Sequence, residues 1–172
     1  MRKILLIAAA SIISALCWGQ EFNLTPSPEV QKLDWLIGNW ESSGVWTMEG
    51  IVMNVDTTVK VEWDGKFLRH TTVSDFGMMK MTETMMFGYD PAKEWYFASA
   101  YTNMSATPRI EYGRLVGSTL VMVSDPWQIE GDTTVSRVTI VKVNNDEYTF
   151  KLEFQEGEKW NVINKSVFKR KK

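Results

Sequence analysis

Apolar and polar residues alternate along most of this chain with the period of two that marks strands buried on one face. The clearest run sets Tyr148, Phe150, Leu152 and Phe154 against Glu147, Thr149, Lys151 and Glu153, and predicts a strand with one dry and one wet side. Turn signals at Asp64-Gly65, Phe76-Gly77, Tyr89-Asp90-Pro91, Val116-Gly117, Asn144-Asn145 and Glu156-Gly157 divide the alternation regularly, as in an antiparallel meander. Ahead of it, Val30, Leu33, Trp35, Leu36 and Ile37 fall at roughly helical spacing. Ser27 precedes Pro28, an N-cap followed by proline at the first helical position. A helix of about two or three turns, ending near Gly38, is expected there.

Hairpin geometry assigns faces to the strands. Three-residue loops at Trp63-Asp64-Gly65 and Asp75-Phe76-Gly77 put Val59 opposite Arg69 and Arg69 opposite Glu83, on a face shared with Phe67, Met81 and Met85. The Tyr89-Asp90-Pro91 turn keeps the parity and adds Trp95, Phe97, Ser99 and Tyr101. On this register His70, the only histidine, points outward. A three-residue loop at Glu156-Gly157 sets Leu152 opposite Trp160 and Phe150 opposite Val162.

The expected site is therefore Arg69 with Glu83 on an inward face, each costly to bury without the other. Either the pair satisfies itself and fixes strand register, or Arg69 anchors an acidic or polar ligand head that Glu83, Ser99 and Tyr101 orient. Methionine adapts to varied apolar shapes, so Met81 and Met85, with Phe67, Trp95 and Phe97, would form the wall of such a pocket. Arg137, in the alternating segment 133–143, is a candidate second cationic contact. A one-residue slip would turn these side chains outward.

The chain opens with Arg2 and Lys3, an apolar run from Ile4 to Trp18, then Gly19. That is the pattern of a secretory signal peptide over residues 1–19, too short for a stable membrane span. Export to the periplasm or beyond is expected, followed by a leader, 20–28, and one domain, 29–172. Leu16 stands where lipidation of Cys17 needs a small residue, which argues against a lipid anchor. Without Cys17 the chain has no cysteine, so no disulfide or thiol nucleophile is available. Without Arg2 and Lys3 it carries 17 basic and 21 acidic residues, net −4, and its only basic cluster is Lys169-Arg170-Lys171-Lys172. No nucleic-acid partner is expected.

Catalytic and metal signatures are sparse. One histidine without cysteine assembles no zinc site. There is no Gly-x-Ser-x-Gly elbow and no glycine-rich phosphate loop. No cofactor and no catalytic residue is assigned.

Gly38-Asn39-Trp40 sits where the helix meets the first strand. A glycine there lets the strand pass beneath a barrel floor, and the tryptophan plugs that floor with a ring whose N–H needs a partner. Leu33-Asp34-Trp35-Leu36-Ile37-Gly38-Asn39-Trp40-Glu41, with Phe87-Gly88-Tyr89-Asp90-Pro91 and Phe168-Lys169-Arg170-Lys171, resembles the secreted bacterial proteins grouped as domain of unknown function 1579. That family is similar to the calycins, which include lipocalins and fatty-acid-binding proteins. The resemblance implies an all-β fold: one antiparallel meander barrel of about eight to ten strands, preceded by a short N-terminal helix and holding a small-molecule cavity. It also implies that Arg170 covers Trp40, closing the barrel with Gly38. Haem-binding nitrobindin-like barrels share the opening pattern but use an axial histidine from a late strand, and this chain has none after His70.

The resulting expectation is a non-catalytic binding protein for a small apolar or amphipathic ligand, for which a cavity of a few hundred Å³ is needed. A solid-core barrel acting as an interaction module, and a hydrolase- or isomerase-like enzyme using Glu83, are the alternatives.

Overall fold

The computed structural model describes residues 24–48, 50–129 and 131–172. The expected signal peptide, Cys17 and residues 20–23 lie outside them. Helix α1, Pro28–Gln31, begins at Ser27, whose hydroxyl accepts from the Val30 amide at 3.3 Å. It is a single turn, followed after Lys32 and Leu33 by a 3₁₀ turn, Asp34–Leu36. This is shorter than the pattern predicts, because Val30, Leu33 and Leu36 are all buried without needing a continuous helix.

Among the described residues twelve strands follow: β1 Gly38–Met48, β2 Ile51–Asp64, β3 Phe67–Asp75, β4 Lys80–Asp90, β5 Trp95–Thr102 and β6 Arg109–Val116. Then come β7 Thr119–Ser124, β8 Trp127–Ile129, β9 Asp132–Thr134, β10 Ser136–Lys142, β11 Glu147–Glu156 and β12 Lys159–Arg170. Ten close into one antiparallel barrel in the order β1-β12-β11-β10-β7-β6-β5-β4-β3-β2, while β8 and β9 form a separate hairpin. All the turn signals lie at hairpin connections of this meander.

Three connections differ from the predicted loops, and each changes which side chains face inward. Asp64 pairs with Phe67, so the turn is Gly65-Lys66, with Gly65 first and at φ 59°. Glycine opens a two-residue turn there rather than closing a three-residue one. Asp75 pairs with Lys80 across Phe76–Met79, closed by Phe76 N–H donating to the Met79 carbonyl at 2.9 Å. Asp90 pairs with Trp95, its carboxylate accepting from the amides of Ala92 and Lys93, and Glu94 takes a left-handed conformation.

The first two shifts cancel on β4, where Met81, Glu83 and Met85 face inward as expected. They do not cancel on β3 and β5. Leu68, His70, Thr72 and Ser74 face inward, as do Tyr96, Ala98 and Ala100. Arg69, Phe67, Trp95, Phe97, Ser99 and Tyr101 accordingly lie on the outside, Tyr101 57% exposed. The β11–β12 turn is Gly157-Glu158, and a bulge after Leu152 sets that residue opposite Asn164 and Phe150 opposite Ser166, not Trp160 and Val162.

The floor is built around Trp40. Its indole Nε1 donates to the Leu36 carbonyl at 2.7 Å, and Tyr148 packs edge-on at 4.9 Å while stacking on Phe168. The Arg170 guanidinium lies 4.1 Å from the Trp40 ring and donates to the carbonyls of Trp35, in the 3₁₀ turn, and Ile37, just after it. At Gly38 an added Cβ would collide with that guanidinium.

Candidate functional site

Above this floor the barrel encloses a cavity of about 70 Å³. Phe87, Tyr148 and Phe168 line it toward the floor, and Trp46, Met81, Met104, Trp127, Ile129 and Phe154 toward the other end. The β8–β9 hairpin supplies Trp127 and Ile129, and the loop before β6 is tied to it by the Ser105 hydroxyl donating to the Gln128 carbonyl at 2.5 Å. Polar side chains reach the same space: His70, Thr72, Ser74, Glu83, Arg109 and Asn164.

The polar centre is a buried triad. Arg109 donates from Nη1 to Glu83 Oε2 at 2.9 Å and from Nε to Glu111 Oε1 at 2.8 Å. Arg109 and Glu111 are two apart on β6, so their side chains share the inner face. Ala100 and Ala98, opposite them on β5 and fully buried, leave room for these long side chains. The guanidinium also lies 5.1 Å from the Trp127 ring. Burial alone would lower the pKa of Arg109, but the two carboxylates outweigh it and raise it. Burial raises that of Glu111; Arg109 opposes the shift, Glu83 adds to it, and the result is above the usual carboxylate range.

His70 faces the cavity from β3, its Nδ1 3.1 Å from the Thr72 hydroxyl. Enclosure by protein holds its pKa down at about 4, against the opposing pull of Glu83. The ring is therefore neutral near pH 7.

Of the residues expected at the site, Glu83, Met81 and Met85 line the cavity. Arg69 does not: it pairs outside with Glu62 and, at 3.3 Å, with Asp64. Phe67 and Phe97 meet edge-on outside the barrel at 6.2 Å, and Trp95 packs against Tyr112 at 4.9 Å. Ser99 and Tyr101 face away from the cavity as well. Arg137 faces outward from β10, bonded to Glu153 at 2.7 Å and 4.4 Å from the Trp160 ring. His70, predicted to point outward, points in.

The sequence pattern does not single out Arg109, Glu111 or Trp127. The Arg109-Ile110-Glu111 spacing is the available signal, but Ile110 and Tyr112 alternate with them, and the usual rule sends the apolar pair inward. On β6 that rule is inverted, since Tyr112 is covered by Trp95 on the outer surface. Among the described residues no group of histidine, cysteine and carboxylates is arranged to hold a metal ion. Nor is any helix among them long and apolar enough to cross a membrane.

A ten-stranded antiparallel meander, floored by an N-terminal helix and an Arg-covered tryptophan, defines a calycin-like barrel. More particularly, the chain belongs to the family described as protein of unknown function (DUF1579), whose model matches residues 25–170. It is similar in fold to the crystal structure of Rv2717c from M. tuberculosis, with a TM-score of 0.67 and 16% identity over 86% of this chain and 99% of that one. No curated protein matches it.

Proposed function

We propose that this barrel is a non-catalytic binding protein for a compact small molecule, acting after export in the periplasm or outside the cell. The observation that carries the reading is the barrel cavity onto which His70, Glu83 and Arg109 converge between apolar walls. A few polar groups placed in an otherwise apolar enclosure is the usual make-up of a ligand site. The export half rests on the Arg2-Lys3 and Ile4–Trp18 pattern. A cavity of about 70 Å³ is well below the few hundred Å³ expected, about half of the roughly 150 Å³ that accommodates benzene in an engineered core. It therefore suits a molecule of few heavy atoms and not an extended acyl chain, unless Met81, Met85 and Met104 move aside.

The same small volume favours the second reading, a solid barrel that acts through its outer surface. Native mass spectrometry of protein purified from its own cell envelope separates the two. A released small molecule supports binding. A bare mass, with no change in tryptophan fluorescence on adding small polar organics, supports the solid barrel.

A further inference from the structure

We infer that the cavity takes an uncharged head group that both donates and accepts hydrogen bonds, such as a primary amide, and discriminates against carboxylates and cations of the same shape. The inference rests on the binding reading above and names the ligand class.

The charge balance excludes an anion. Among the described residues the titratable or charged groups at or beside the cavity are His70, Glu83, Arg109, Glu111 and Tyr148. Arg109 is the one cation, and its charge is already matched, by Glu83 at Nη1 and by Glu111 at Nε. To hold a carboxylate, an arginine would have to face the ligand with its charge unmatched. An incoming carboxylate would instead be the third anion around one guanidinium, in a space where unmatched charge is strongly disfavoured. A cation meets the converse obstacle. Glu111 does not line the cavity, and the one carboxylate that does, Glu83, is committed through Oε2 to Arg109, so a buried ammonium would sit beside a like charge that already holds its counter-ion.

What the cavity offers instead is one donor beside one acceptor. Trp127 is 5% exposed and lines the cavity, and its Nε1–H has no hydrogen-bond partner. A buried donor in that state favours any ligand that brings an acceptor. Arg109 holds the Trp127 ring in place from 5.1 Å. Glu83 lines the same space and bonds Arg109 through Oε2, so Oε1 is the oxygen left to accept from a ligand. An amide carbonyl and N–H₂ match that donor and acceptor together, whereas a carboxylate supplies only acceptors and an amidinium only donors.

The test uses three molecules of one shape: butyramide, butyrate and butyramidine, neutral, anionic and cationic at pH 7. Each is titrated into full-length mature protein carrying ¹³C-methyl methionine, following the Met81, Met85 and Met104 signals. Butyramide is expected to bind at least tenfold more tightly than either ion. Trp127→Phe, which keeps an aromatic ring and removes the donor, is expected to weaken butyramide several-fold. Equal or tighter binding of butyrate or butyramidine overturns the inference while leaving the binding function standing. An unchanged affinity in Trp127→Phe overturns the role assigned to its N–H. Failure of all three to shift any cavity methionine overturns the binding reading itself.

Discussion

Arg109 donates from Nε to Glu111 Oε1 at 2.8 Å, while the second oxygen of that fully buried carboxylate, Oε2, has no hydrogen-bond partner. One guanidinium thus serves two carboxylates, and Arg109 is the member on which the others depend. Arg109→Met should cost about 3–5 kcal/mol by urea unfolding, because it leaves Glu83 and Glu111 buried without a counter-ion. Adding Glu83→Gln and Glu111→Gln should recover much of that loss. Arg69→Ala, on the outer surface, should leave the unfolding curve close to wild type, since exposed pairs contribute little. If Arg69→Ala were the more damaging change, a strand register with Arg69 outside and Arg109 inside would be wrong.

Glu111 makes stability depend on pH with a definite sign. Its folded pKa is raised above the ordinary carboxylate value of 4.5. The stability it contributes is therefore present below that value and declines as pH rises through the folded pKa. Glu111→Gln keeps an acceptor for Arg109 and should remove the decline, which unfolding free energies measured between pH 4 and 8 would reveal. Identical pH profiles for the variant and wild type would count against a buried, reluctant acid.

His70 acts in the opposite direction. Its folded pKa of about 4 lies below the ordinary 6.5. Its contribution is present above pH 6.5 and is lost as pH falls toward 4, an effect on the order of 2–3 kcal/mol. His70→Gln should flatten the acid limb of the stability profile. Titration of the His70 ring by NMR with a midpoint near 6.5 would contradict its enclosure.

Arg170 joins the last strand to the floor through the Trp40 ring and three backbone carbonyls, those of Trp35, Ile37 and Asn145. Arg170→Ala should cost about 2–4 kcal/mol, from the lost charge-assisted hydrogen bonds and ring contact together. Arg170→Lys should restore less than half, because an ammonium cannot reach several carbonyls in one plane. Thermal unfolding of the two variants distinguishes the guanidinium's shape from its charge.

Two glycines should respond differently to alanine. At Gly88 a Cβ would meet the Phe97 ring, which lies over it on the outer face and can rotate away, so Gly88→Ala should cost about 1 kcal/mol. At Gly113 the Cβ would meet the Val121 carbonyl oxygen and the backbone of Met122, which cannot yield without shifting β7. Gly113→Ala should be the more destabilising by about 2 kcal/mol or more in chemical denaturation.

The barrel is legible in the sequence because its signals are redundant. Alternation, spaced turns and the Gly38-Asn39-Trp40 motif all point the same way, and an error in one strand leaves the others intact. The site is not legible in the same way, because facing is a matter of parity. Whether Gly65 opens a two-residue turn or closes a three-residue one moves the partner of Arg69 from Val59 to Glu62, an odd shift of three positions, and that decides between Arg69 and His70 as the residue inside. Glu83 is predicted to face inward, correctly, only because two such shifts cancel before β4. On β6 the amphipathic rule itself misleads, since an interior built to hold Arg109 and Glu111 sends Ile110 and Tyr112 to the outer face.

The pairing of β1 with β12 carries a consequence for the order of events in folding. The seam joins Trp40 to Arg170 and Trp46 to Asn164, residues at opposite ends of the described chain. A ribosome releasing this protein from its N-terminus exposes the Gly38–Met48 strand long before its second neighbour exists. Hairpins can form as they emerge, but both sides of β1 are satisfied only once the final strand is free. Such long-range closure is slow compared with local hairpin formation. If the chain is exported through a channel that passes only unfolded polypeptide, that delay would help keep it threadable until the last residues are made.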